Sequence, residues 1–193
     1  MKPLTNLSDQ QLIHLYMDGN QEALSSLIYR HKDKIYTSIY LLVNDKYLAD
    51  DIFQDSFIRV INTLKSGRYK DEGKFSSWIV RIAHNLCIDH FRKIKRSPSF
   101  KTIDYLESFQ IISFPDPDPG HGMLQKQRYD RLAKMLDRLP EDQREVIILK
   151  HYANLTFKEI GTLTKCSINT ALGRMHYGLI NLRKMMVEKQ IAL

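Results

Sequence analysis

A helical period runs through most of the chain. It is clearest from Lys74 to Arg96, KFSSWIVRIAHNLCIDHFRKIKR, where Ile79, Ile82, Ala83, Leu86, Cys87 and Ile94 recur at the spacing of one broad apolar stripe packed against a core. The other side of that helix carries Trp78, Arg81, Asn85 and Arg92, and the segment then runs out into Lys93, Lys95 and Arg96. Fixed cations neutralise phosphates and release counterions, an indole offers a surface for an unstacked base, and an Asn can bond a base edge. The face therefore suits nucleic acid. A plainer reading stands beside it, in which Trp78 caps the core and the cations only solvate a surface.

The same period predicts the neighbouring helices. Ser8 and Gln11 have the spacing of a capping box and Gly19 that of a stop, so residues 8 to 18 read as a first helix. Leu24, Ile28, His31, Ile35, Ile39 and Leu42 carry a second, ending near Asn44 and Asp45. A third runs from Leu48 to about Leu64, with Ile52, Phe53, Phe57, Val60, Ile61 and Leu64 inside and Asp50, Asp51, Gln54, Asp55, Ile58 and Arg59 outside. An exposed Ile among carboxylates points to a partner surface. SGRYKDEGKF, residues 66 to 75, reads as a loop.

Periodicity fails over residues 97 to 126. Arg92 to Lys101 holds five basic residues and no acidic one, whereas Thr102 to Gln125 holds four acidic residues and no Lys or Arg. Four of the six prolines fall in or beside this stretch, and PDPDPGHG cannot continue a helix, so it reads as a linker between two helical domains. The period then returns through Leu132, Met135, Leu136 and Leu139 to Pro140, which is expected in the first turn of EDQREVIILKHY, with Val146, Ile147, Leu149 and Tyr152 as its core face. Thr156 can cap FKEIGTLT and Ser167 a longer helix after it. Two helices joined by a short turn around Lys165 and Cys166 make a helix-turn-helix. Ile160, Leu163, Ile168, Ala171, Met175, Leu179 and Leu182 are its expected packing residues, leaving Asn169, Thr170, Leu172, Gly173, Arg174, His176 and Tyr177 outward. The predicted fold class is all-α, as two small helical domains joined by a flexible linker.

Composition narrows the partner. A net charge of +7 and a pI near 9.3 favour nucleic acid or an acidic membrane surface. There is no apolar run near the roughly 20 residues of a membrane span and no apolar signal core at the start, so no membrane insertion and a cytoplasmic location are expected. Cys87 and Cys166 lie far apart with no Cys/His cluster around them, so no metal site, cofactor or disulfide is expected.

Three blocks in a fixed order resemble the extracytoplasmic-function group of bacterial RNA polymerase sigma factors, of the sigma-70 family. ADDIFQDSFIRVI resembles the helix that binds the polymerase clamp, KFSSWIVRIAHNLCIDHFRKIKR the helix that reads the minus-ten element, and LPEDQREVIILKHYANLTFKEIG with SINTALGRMHYGLINLRK the domain that reads the minus-thirty-five element. The resemblance implies region 2 over residues 1–96, a linker over 97–126 threading the polymerase's RNA path, and region 4 over 127–193. It implies a non-enzymatic factor that binds core RNA polymerase through the β′ clamp helices and β flap, directs it to promoter DNA and assists melting. An anti-sigma factor is a further partner that the family allows. The clamp site would be Asp51, Gln54, Asp55 and Ile58. The minus-ten site would be Tyr69, Lys74, Phe75, Trp78, Arg81, Asn85 and Arg92, with the loop before Phe75 shaping a pocket for a flipped-out base. The minus-thirty-five site would be Thr156, Lys165, Ser167, Asn169, Thr170, Leu172, Gly173, Arg174, His176 and Tyr177.

The chain departs from the family in the recognition helix, where Leu172, Gly173 and Tyr177 replace polar or basic residues. Leu172 can touch a thymine methyl and Gly173 can let the backbone approach closely, but no base sequence follows. Gly161 replaces the usual small Ala, a sign of tight packing. Two rivals are weaker. Asp50, Asp51 and Asp55 resemble the magnesium-holding motif of prenyl-diphosphate synthases, but the second carboxylate cluster such an enzyme needs is missing from the sequence. A helix-turn-helix regulator acting without polymerase would account for residues 127 to 193 and leave the first half unexplained.

Overall fold

The computed structural model describes residues 4–70, 73–96 and 132–188. The chain divides into two compact units, Met1–Phe100 and Lys101–Leu193. The stretch read as a linker lies outside the described residues.

In the first unit a single 3-10 turn precedes α1 (Asp9–Met17), α2 (Gln21–Val43), α3 (Lys46–Lys65) and α4 (Phe75–Arg96). The boundaries follow local chemistry. Ser8 and Gln11 form the reciprocal capping box of α1, and Gly19, at φ +100°, turns the chain where a side chain would be strained. Asn20 caps α2, Asn44 ends it in the left-handed region, and Asp45 accepts the Leu48 N–H at the start of α3. Helices α2, α3 and α4 pack on one another, and α1 lies against α2. Leu12, Ile13, Leu27, Ile35, Ile39, Val60, Leu64, Phe75, Ile79 and Cys87 fill the core. Burial pushes the Cys87 thiol up to about 12, so it stays protonated and inert.

Two expectations change here. Ile94 continues the apolar period of α4 but is 45% exposed, because the helix runs on past the helices that cover it. Asp50, expected outside, is half-buried and accepts a hydrogen bond from the Tyr36 hydroxyl. Burial first, and the Asp50 carboxylate second, push that phenol far above its ordinary range. Asp50 is thereby drawn away from Asp51 and Asp55, which are exposed.

The second unit contains α5 (described over residues 132–136), α6 (Glu141–His151), α7 (Phe157–Leu163) and α8 (Ile168–Glu188). Pro140 stands at the cap before α6, one position earlier than expected. Thr156 and Glu159 form a capping box at α7. Lys165, at φ 55°, turns the chain between α7 and α8, and Ser167 Oγ accepts the Thr170 N–H at 3.0 Å to start α8. Helix α8 packs on both α6 and α7. Gly161 is required at this joint, since a Cβ there would lie 2.8 Å from the Cys166 carbonyl oxygen. At Gly178 a Cβ would lie 2.7 Å from Ile147 Cδ1 and 3.3 Å from Gln143 Cβ, so α8 runs close to α6 there, although the Ile147 side chain can give way as the Cys166 carbonyl cannot. The inward line of α8 is therefore narrow, consisting of Ala171, Met175 and Gly178. That narrowness corrects two packing assignments: Ile168 and Leu179 lie to one side of it and are 47% and 45% exposed.

Every described element is helical or turn, and no described helix is long and apolar enough to cross a membrane.

Candidate polymerase-binding and DNA-binding faces

Three exposed helix faces gather the residues singled out by sequence. On α3 the inward residues Ile52, Ser56, Val60 and Leu64 leave Asp51, Gln54, Asp55 and Ile58 on the opposite side, all exposed, with Ile58 at 52%. Tyr47, one turn before Asp51 and 68% exposed, shares this face. Sequence reading passed over it, although the spacing Tyr47, Asp51, Ile58 at four and seven residues is the available signal. The face is acidic with apolar ends, which suits a cationic partner carrying apolar side chains.

The second face lies where the loop meets α4. The Tyr69 and Trp78 rings sit 4.4 Å apart between centroids, and Phe75 lies 6.0 Å from Tyr69 and 5.9 Å from Trp78. These three do not play one role. Tyr69 and Trp78 are half-buried, whereas Phe75 is 2% exposed and forms the floor on which the other two rings rest. Its position as first residue of α4 turns the side chain inward while its neighbour Lys74 stays exposed. Arg81 and Asn85 stand exposed at one-turn spacing, and Arg92 is exposed further along, 3.5 Å from Asp89 in a weak surface pair.

Beneath this face lies a polar brace that sequence did not reveal. Asp9 on α1 meets Arg30 at 2.7 Å and His31 at 2.8 Å on α2, the His31 ring packs on Phe75 at 5.7 Å, and Lys34 Nζ donates to Ser76 Oγ at 2.9 Å. Burial lowers the His31 pKa from its ordinary 6.5 despite the opposing pull of Asp9, and burial likewise lowers that of Lys34. The helical period alone places His31 only in the apolar stripe of α2. Its real partners lie on α1 and α4, which no period along α2 can disclose.

The third face is the outer side of α8 with its turn. Lys165, Ser167, Asn169, Thr170, Leu172, His176 and Tyr177 are exposed, Gly173 and Arg174 partly so. Several of the candidates are already engaged within the unit. The Thr156 hydroxyl serves the α7 capping box, donating to Glu159 at 2.7 Å, and Arg174 Nε lies 3.0 Å from the Asp142 carboxylate on α6. Ser167 and Thr170 share a hydroxyl hydrogen bond of 2.8 Å at the helix start. Leu172 and Tyr177 remain 43% and 62% exposed.

An aromatic and cationic helix face in one unit and a helix-turn-helix in the other define a protein of the class suited to nucleic acid. Comparison with known proteins narrows that class. Residues 27–97 match the family Sigma-70 region 2 and residues 129–178 match Sigma-70, region 4. The chain is 31% identical over 170 residues to the ECF RNA polymerase sigma factor SigW of Bacillus subtilis, covering 86% of this chain and 90% of that one. It is 28% identical over 176 residues to the RNA polymerase sigma-H factor of Pseudomonas aeruginosa, covering 89% and 90%. The chain belongs to the extracytoplasmic-function group of the sigma-70 family of RNA polymerase sigma factors. Its fold resembles that of CnrH, solved in complex with the cytosolic domain of CnrY, with a TM-score of 0.65 at 20% identity over 93% of this chain and 97% of the other. It also resembles the sigma factor RpoE of Bartonella quintana, solved with the anti-sigma factor NepR, with a TM-score of 0.61 at 17% identity over 84% and 96%.

Proposed function

We propose that this sigma factor binds core RNA polymerase in the cytoplasm, directs it to a distinct set of promoters and helps open them, with no catalytic residue of its own. The observation that carries this reading is the order of the matches: region 2 and region 4 occur in one chain, in that order, within a 31% identical relationship to a whole sigma factor. A free-standing helix-turn-helix regulator has no use for the first of them.

The division of labour follows. Region 2, residues 1–96, offers Asp51, Gln54, Asp55 and Ile58, joined by Tyr47, to the β′ clamp helices. It offers Tyr69, Trp78, Lys74, Arg81, Asn85 and Arg92 to the opened minus-ten strand, where aromatic rings and cations can hold unstacked bases and phosphates. Region 4, residues 127–193, lays α8 toward the minus-thirty-five duplex and meets the β flap. Residues 97–126 join them. The similar folds solved with the cytosolic domain of CnrY and with the anti-sigma factor NepR support an anti-sigma protein partner for this chain as well.

The test is to mix the purified chain with core bacterial RNA polymerase. The expected result is a stable complex that starts transcription at discrete sites where core polymerase alone does not. A chain that binds duplex DNA but never associates with polymerase overturns the proposal.

A further inference from the structure

We propose that α8 reads its duplex through the C5 methyl group of thymine, with Leu172 as the reading side chain and Gly173 supplying the clearance that lets it reach the groove floor. The inference rests on region 4 docking α8 in the major groove and names what that helix recognises there.

Three observations on one helix lead to it. Leu172 is 43% exposed, off the inward line of Ala171, Met175 and Gly178, with exposed Ile168 and Leu179 on one side of it and polar, exposed Asn169 and His176 on the other, so it does not serve the core. The long cation beside it is directed elsewhere: Arg174 Nε meets Asp142 at 3.0 Å on the α6 side, which leaves guanine without its usual bidentate partner. Gly173, between them, faces open space, with nothing within 4 Å of the position a Cβ would take. An unneeded glycine in a helix interior is unfavourable, and neither φ nor crowding demands one here. Something outside the free protein does: a closely approaching partner. In the major groove only thymine presents a methyl group, and an aliphatic side chain is the partner that distinguishes it. Asn169, one turn back, can bond an adenine edge in the same A·T-rich stretch.

The experiment uses the full chain assembled with core polymerase. Selection on randomised upstream sequence defines the preferred element, and each thymine in it is then replaced singly by deoxyuridine, which removes the methyl and leaves every hydrogen-bonding group. At one or two positions the replacement is expected to weaken the complex about fourfold, the worth of burying one methyl group. Leu172→Ala, which empties no core space, is expected to bind thymine and deoxyuridine elements equally. Gly173→Ala is expected to fold normally and to weaken binding to every upstream sequence. A specific complex indifferent to deoxyuridine at all positions overturns the proposal alone and assigns exposed Leu172 to a protein partner. Undiminished thymine preference in Leu172→Ala also overturns it. Absence of any sequence-specific complex overturns the sigma-factor reading with it.

Discussion

Arg174 Nε lies 3.0 Å from the Asp142 carboxylate, so the arginine in the first half of the recognition helix is tethered to the helix behind it. With its side chains 27% and 47% exposed, the pair contributes at most about 1 kcal/mol to stability. Its consequence is directional: the guanidinium is held on the α6 flank of α8, a position from which a phosphate contact is the expected role. Arg174→Ala should weaken upstream binding similarly on all sequences and reduce the salt slope by about one. Asp142→Asn, which removes the tether and a carboxylate beside it, should strengthen binding. Titration of randomised duplexes at several salt concentrations checks both, and loss of preference at a single base position in Arg174→Ala would refute the phosphate role.

Asp51 and Asp55 stand exposed on α3, away from Ile52, Ser56 and Val60. Reversing both charges therefore alters partner electrostatics and leaves packing alone. Asp51→Arg with Asp55→Arg should abolish association with core polymerase while circular dichroism and the melting temperature stay close to the parent's. A folded double variant that still co-purifies with polymerase removes the clamp assignment.

Arg81 and Asn85 are exposed one turn apart beside the Tyr69–Trp78 pair. Contacts to splayed bases exist only in the melted state, so Arg81→Ala and Asn85→Ala should impair promoter opening more than closed-complex formation. Permanganate footprinting on duplex and pre-melted templates separates the steps. Equal loss on both templates would point to general phosphate binding.

Phe75 and Tyr69 touch, yet their variants should fail differently. Phe75 is 2% exposed, and Phe75→Ala should cost about 3–5 kcal/mol in denaturant unfolding, the range of a buried ring deleted from a core. Tyr69→Ala should leave most of that stability and lose promoter opening instead. Comparable destabilisation by the two would mean that both rings serve only the core.

His31 connects α1 to α4 through Asp9 and Phe75, and its pKa in the folded protein lies below 6.5 because burial outweighs Asp9. The unfolded chain therefore takes up the proton first. The neutral ring's contribution is complete above about pH 7 and is lost as pH falls through 6.5 toward the lower folded value. Asp9→Asn removes the carboxylate that favours the charged ring and should steepen this loss. His31→Gln should flatten it. Unfolding free energies measured from pH 7.5 to 5.5 check the sign, and a wild-type stability that rises on acidification over that range would contradict it.

What the sequence determined by itself is everything that acts over one to four residues. Capping by Ser8 and Thr156, the stop at Gly19, the stripes of α2 and α3 and the outward placing of Asp51, Asp55 and Asn85 follow from side-chain chemistry and the helical repeat. The ordered blocks carried the family, because their succession along the chain is itself a linear property. Tertiary structure decided what depends on distance across the fold. Ile94, Ile168 and Leu179 keep the apolar period and are left uncovered, since a period predicts a face and not whether another helix reaches it. Phe75 and Tyr69 are both aromatics of one loop region, and only the packing of α4 separates floor from surface. The Asp9–His31 and Arg174–Asp142 pairs span 22 and 32 residues, the second by the difference 174 − 142. Such pairings join helices whose mutual orientation is set by the core beneath them, so they become legible only once that core is assembled.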